Sequence, residues 1–169
     1  MDFAAFQAVI VSPALKRVAG HWRDARGDRA MPAWEDIKPS AIKAQLPIIW
    51  SYKYDPLTRT FTGRMSGDKI TAIFEKNFRG VLMSDLVRTS DFGWVYALNK
   101  RIVSEPALYR SEGRVFKHLD RCGVGERIVM PLSDDGVVGD GILGATEYRL
   151  ESTGIFAPSE PIRENEQWF

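Results

Sequence analysis

Residues 46–86 constrain the fold most: two apolar-alternating segments joined by five turn residues and followed at once by a short helical pattern. In the first segment Ile48, Trp50, Tyr52 and Tyr54 fall on one face and Ile49, Ser51 and Lys53 on the other, the period of a half-buried strand. Asp55-Pro56-Leu57-Thr58-Arg59 supplies the turn, and residues 60–65 then set Phe61, Gly63 and Met65 against Thr60, Thr62 and Arg64. The pattern predicts a β-hairpin. Beyond Ser66-Gly67-Asp68, Ile70, Ile73 and Phe74 share one helical face before Asn77 and Gly80 end it.

Upstream, Phe3, Phe6 and Ile10 have helical spacing. Ser12-Pro13 reads as an N-cap with proline at the first helical position, and Leu15, Val18 and Trp22 continue an apolar stripe until Arg26-Gly27-Asp28. Two amphipathic helices therefore precede the hairpin and are expected to lie against the sheet. Pro39 opens a short helix that closes before Leu46-Pro47. Downstream, Leu82 and Leu86 flank a helical turn, Ser90 or Asp91 caps a longer helix with stripe Trp94, Leu98 and Ile102, and Pro106 stops it. Residues 108–119 read as a strand with a bulge at Gly113, and Arg121-Cys122-Gly123-Val124-Gly125 as a loop. Ile128, Met130 and Leu132 alternate up to Ser133-Asp134-Asp135-Gly136, a hairpin signal, and residues 137–150 return as the last strand. The expected architecture is α+β: a five-stranded antiparallel sheet, short helices inserted after strand two, and N-terminal flanking helices. Residues 1–45 form the helical extension, 46–150 the domain, and 151–169 a polar, proline-interrupted tail whose Trp168 and Phe169 can dock.

With 169 residues, 44% of them hydrophobic and 27% charged, the chain can bury one core. A net charge of +1 gives no attraction to nucleic acid or to an anionic membrane, and the basic residues Lys16, Arg17, Arg23, Arg26 and Arg29 are interrupted by Asp24 and Asp28. The single Cys122 excludes an internal disulfide and a thiolate-built zinc site and fits a reducing compartment. The longest apolar run is too short to span a membrane and the start is not a signal peptide, so a cytoplasmic location is expected.

The order strand, strand, short helices, longer helix and three antiparallel strands resembles a PAS domain over residues 46–150. More narrowly, the chain resembles a family of small stand-alone PAS-like proteins found mainly in alphaproteobacteria. The resemblance is carried by Trp22, Arg26-Gly27, Pro32, Asp36-Ile37, Pro39 and Leu46-Pro47. It continues through Phe61-Thr62-Gly63-Arg64-Met65-Ser66-Gly67, Asn77-Phe78-Arg79-Gly80 and Met130-Pro131-Leu132-Ser133-Asp134-Asp135-Gly136. Asp68 departs from that family, where a small hydroxyl residue is more common. The resemblance implies a sensory or regulatory module that holds a small molecule, or nothing, between the sheet and the short helices and signals to a partner protein in trans. The alternative is a ligand-free interaction or dimerisation module. Candidate pocket residues are Trp50, Tyr52, Phe61, Arg64, Met65, Ile70, Phe74, Trp94, Leu98, Met130 and Leu143, and candidate interface residues, toward a second copy or another protein, are Leu15, Val18 and Trp22.

Specific chemistries find little support. Gly139-Asp140-Gly141-Ile142-Leu143-Gly144 has the letters of a dinucleotide fingerprint but sits inside a strand pattern with no helix to follow, so it reads as a glycine-bearing strand that leaves space, against a helix for instance. His21 and His118 are the only histidines, and a haem ligated through His118 is formally open, but a hydrogen-bonded strand histidine is the favoured reading. No metal site is expected. Cys122 lacks the helical motif of flavin-adduct PAS domains, and no nucleophile, base and carboxylate constellation points to an enzyme. Arg64 is either solvated or paired with a carboxylate, or aimed into the pocket toward a ligand carboxylate or phosphate.

Overall fold

The computed structural model describes residues 1–118, 121–152 and 164–169. Helix α1 (Phe3–Val9) is capped by Asp2, whose side chain accepts the Ala5 N–H at 3.0 Å. Helix α2 (Pro13–Arg26) is capped by Ser12, whose Oγ accepts the Leu15 N–H at 3.1 Å, and it ends at Gly27 in a positive-φ conformation that glycine adopts without strain. A 3₁₀ segment, Pro39–Ile48, leads into the hairpin of β1 (Ile49–Asp55) and β2 (Thr60–Ser66). Asp55 holds its turn by accepting the Leu57 N–H at 2.9 Å. Then come α3 (Asp68–Phe74), a 3₁₀ turn (Met83–Asp85), α4 (Thr89–Ser104), β3 (Tyr109–His118), β4 (Arg121–Leu132), β5 (Gly141–Ser152) and β6 (Glu164–Trp168).

The strands form one antiparallel sheet in the order β2-β1-β5-β4-β3-β6. Its hairpin, inserted helices and N-terminal helices are those expected, but it has six strands where five were read. The sixth comes from the polar tail. Residues 109–113 pair with 164–168, the Trp168 ring packs edge-on against Tyr109 at 4.9 Å, and Leu108 and Phe169 exchange two backbone hydrogen bonds of 2.9 Å. Charged and amide side chains hid this strand, because an edge strand is polar wherever its outer side meets water.

A second correction concerns residues 121–125, read as a loop and found as the first half of β4. The glycines there admit neighbours, not a turn: a Cβ on Gly125 would lie 1.9 Å from the Glu147 carbonyl oxygen, and one on Gly123 would lie 3.2 Å from the Tyr148 ring. Cys122 is consequently a buried strand residue. The last strand also starts later than expected, at Gly141, because Ser133-Asp134-Asp135-Gly136 and residues 137–140 make a longer connection. Asp135 Oδ1 organises it, accepting Ser133 Oγ–H and the N–H groups of Val137 and Val138, each at 2.8 Å, with Gly136 at φ +75°. Leu119, the last residue of the expected third strand, lies outside the described residues.

Two cores share the sheet. On one face α1, α2 and the 3₁₀ segment cover Ile49, Ile128, Met130, Leu143 and Ala145; on the other, α3, α4 and the Met83 turn cover Trp50, Tyr52, Val129 and Ile142. Burial of α2 is complete along its apolar stripe: Leu15 and Val18 are 0% and Trp22 1% exposed, and Trp22 Nε1 donates to the Pro131 carbonyl at 2.8 Å. The stripe read as a candidate interface is therefore spent inside the molecule, because a longer apolar area is removed from water against the chain's own sheet.

Candidate ligand cavity

Cross-strand pairing decides which side chains meet. Trp50 pairs with Gly144 and Gly144 with Val129, so all three stand on one face; Ser51, Leu143 and Met130 form the neighbouring row and face the other way. A Cβ on Gly144 would lie 2.2 Å from the Trp50 ring, which means the indole lies flat over the glycine. Gly139 likewise admits α4, since its Cβ would lie 2.4 Å from the Val103 carbonyl oxygen. The glycine run thus brings the last strand close to an indole and a helix, as its failed fingerprint context suggested.

Between this face and α4 is a cavity of about 70 Å³. Its sheet wall is Trp50, Tyr52, Val115, Phe116, Arg127 and Val129; its helical wall is Trp94, Val95, Leu98 and Asn99 of α4, with Phe74, Phe78 and Leu86 beside them. One water needs roughly 10–15 Å³ of such space, so the cavity takes about five to seven water-sized groups. At the rim Arg88 Nε donates to Asp91 Oδ2 at 3.0 Å, an ion pair beside the first turn of α4.

Polar groups punctuate the aromatic wall. Trp50 Nε1 donates to Thr146 Oγ1 at 3.0 Å, and Arg127 Nε approaches the same oxygen at 3.4 Å while its Nη2 donates to the Val115 carbonyl. The guanidinium carbon lies 5.0 Å from the Phe116 ring centroid and 6.0 Å from that of Trp50. Burial raises the pKa of the Tyr52 hydroxyl, against a smaller opposing effect of the Arg127 charge, so Tyr52 is a neutral phenol at physiological pH. On α4, Asn99 Nδ2 donates to the Val95 carbonyl at 3.0 Å, which leaves Oδ1 buried without a hydrogen-bond partner.

Of the residues expected to line a pocket, Trp50, Tyr52, Phe74, Trp94 and Leu98 do so. Phe61 and Ile70 belong to the same core without reaching the cavity. Met65, Met130 and Leu143 are placed in the opposite core, the row that faces α2. Arg64 does not line the cavity: its guanidinium stacks over Trp34 at 5.4 Å on the α2 side, with Nη2 4.0 Å from Asp140 Oδ1, an ion-pair distance beyond hydrogen-bond reach. Burial raises the Asp140 pKa there. Among the residues missed were Arg127, Asn99, Phe78, Val115, Phe116 and Val129. The alternation that picked out Ile128 and Met130 also marks Arg127 and Val129 as the other face; only the face was unassigned.

His21 Nε2 accepts the Lys38 N–H at 3.0 Å, an ordinary structural role. The His118 side chain lies outside the described residues. Among the described residues no cluster of three or more His, Cys, Asp or Glu side chains could hold a metal ion, and no helix is long and apolar enough to cross a membrane.

Neither the curated proteins nor the solved structures contain a match to the chain. A family model described as PAS domain matches residues 10–146, from the end of α1 into β5 and across both walls of the cavity. PAS domains serve in general as sensory, regulatory or interaction modules and are not generally catalytic. The chain belongs to the PAS domain family.

Proposed function

We propose that the chain is a sensory module: a small molecule enters the cavity between α4 and the sheet, and the N-terminal helix pair transmits its presence to a partner protein. The observation that carries this reading is the chemistry of two consecutive residues on β4. Arg127 lines the cavity, and Glu126 stands on the opposite face. There its carboxylate accepts the N–H of Val11 at 3.0 Å and of Ser12 at 2.8 Å, the junction between α1 and α2, and also Nε of Arg110 at 2.8 Å. Ser12 Oγ–H is further held by Glu147 of β5. A shift of β4 at the cavity is therefore felt directly at the helix junction, because neighbouring residues of a strand share one rigid backbone.

Native mass spectrometry of the purified protein, joined to hydrogen exchange, tests the reading. The expected result is a stoichiometric small-molecule mass lost on denaturation, with faster exchange at the Val11 and Ser12 amides once it is removed. Exchange at that junction that is the same with and without the bound mass would sink the signalling half. In Glu126→Gln, which keeps the side-chain shape and weakens the clamp, the same amides exchange faster in either state.

A further inference from the structure

Strand β6 is the outermost of the sheet, with β3 as its neighbour among the described strands, and it lies beyond residue 146, where the family match ends. Separated from β5 by residues 153–163, it pairs along one side only, whereas β4 and β5 each have a strand on both sides. Its hold is concentrated in three side chains. The Trp168 ring meets Tyr109 edge-on at 4.9 Å and takes the Arg101 guanidinium of α4 over its face at 4.1 Å. Phe169 meets Phe6 of α1 at 5.7 Å. Gln167 Oε1 accepts Arg110 Nη1 at 3.2 Å, while the same guanidinium holds Glu112 and Glu126. Consecutive residues of an extended segment face opposite ways, so Trp168 and Phe169 reach α4 on one side of the sheet and α1 on the other.

We propose that the β3 edge, residues 108–113, is a docking groove for an extended segment of a partner protein, and that β6 is the occupant the chain itself supplies until that partner displaces it. The partner segment carries an amide side chain followed by two aromatic residues, the pattern of Gln167, Trp168 and Phe169 now seated there. Ladder hydrogen bonds give such a segment its affinity, and the two ring sites give it selectivity. An amide suits Arg110 better than a further carboxylate, because Glu112 and Glu126 already balance that charge. The β6 of a second copy gains nothing here: it would exchange identical contacts against a tethered strand at high effective concentration. Displacement reaches the N-terminal helices at two points. One is Phe6 of α1; the other is Glu126, which Arg110 shares with the amides of Val11 and Ser12.

Three reagents decide it: the intact chain, its double variant Trp168→Ala with Phe169→Ala, and a synthetic peptide of residues 164–169. Expected is one-to-one binding of the peptide to the double variant, roughly tenfold or more tighter than to the native chain, with slowed hydrogen exchange of the 108–113 amides. The same peptide carrying Gln167→Glu, or alanine in place of either aromatic residue, binds less tightly. In the isotope-labelled native chain, excess unlabelled peptide speeds exchange of the β6 amides and of Val11 and Ser12. Should the double variant fail to fold, this competition on the native chain still decides. Native β6 amides that exchange as slowly as those of β4 and ignore excess peptide overturn the proposal. So does a double variant that folds and binds no peptide. A native dimer that the peptide dissociates overturns the partner-protein assignment in favour of strand exchange with a second copy.

Discussion

On the α2 side of the sheet, Leu15, Val18, Trp22, Ile128, Met130 and Leu143 are each at most 1% exposed, and the tryptophan's N–H is satisfied by a backbone carbonyl. On the α4 side the same sheet meets aromatic rings, Trp50, Tyr52, Phe74, Phe78 and Phe116, and there the packing leaves a cavity. The difference follows from shape. The filled face has rings too, Phe6 lying edge-on to Phe3 and Phe169, but they are set among aliphatic side chains that interdigitate with the sheet to crystal-like density, whereas on the α4 side rings meet mainly other rings and leave gaps at their corners. Phe74 meets both Phe78 and Phe116 edge-on, at 5.1 Å and 5.4 Å, and Phe116 meets Tyr148 the same way at 5.4 Å. One face stabilises the fold; the other holds space next to polar groups.

That contrast can be broken most directly with tryptophan. Trp22→Ala should destabilise the chain by about 3–5 kcal/mol in denaturant titration, through lost burial and an orphaned Pro131 carbonyl, while Trp94→Ala, at a half-open rim position, should cost well under half as much. Comparable losses would mean that the two faces are equally packed. Gly144→Ala comes next. Its methyl group needs the space that the Trp50 ring occupies, so a loss of about 1–3 kcal/mol is expected together with a changed Trp50 fluorescence environment. If the fluorescence is unaltered, the indole does not lie over the glycine. A matched pair of added methylenes sharpens the comparison further: Val18→Ile should cost about 1–3 kcal/mol, but Val129→Ile, beside the cavity, within about 1 kcal/mol of zero.

The smallest effect concerns His21, on α2. Burial lowers its pKa below the usual imidazole value of 6.5, against a smaller opposing pull from Asp24, and the neutral ring is what accepts the Lys38 N–H. A depressed folded-state pKa contributes stability that is present above about pH 6.5 and is lost as the pH falls through the folded value. Stability measured between pH 7 and pH 5 should therefore fall more steeply for the native chain than for His21→Gln. Parallel curves would show that the ring titrates alike in the folded and unfolded states.

Much of this was legible beforehand because it is local. The Asp-Pro-Leu-Thr-Arg turn, the Ser12-Pro13 cap, the Asp-Asp-Gly connection and the two periodicities name the hairpin, the amphipathic helices and the antiparallel return strands without any tertiary information. The errors lie where meaning depends on a neighbour. Glycines 123 and 125 signal a turn by composition, yet they make room for Tyr148 and Glu147 of the adjoining strand. Residues 164–168 carry no strand period strong enough to see and become a strand because the edge of β3 offers unpaired backbone groups.

For the site the division is sharper. The sequence by itself determined that Trp50 and Tyr52 share a face and that a helix bearing Trp94 and Leu98 follows, which supplies five cavity residues once Phe74 is added. It could not determine which rows of β4 and β5 join them, because a strand's two faces differ only by a shift of one residue, and that shift is set by pairing Trp50 through Gly144 to Val129. Tertiary register alone sent Met130 and Leu143 to the filled core, brought Arg127 to the cavity and turned Glu126 toward the helix junction. Periodicity is a property of one segment, whereas facing is a property of the sheet.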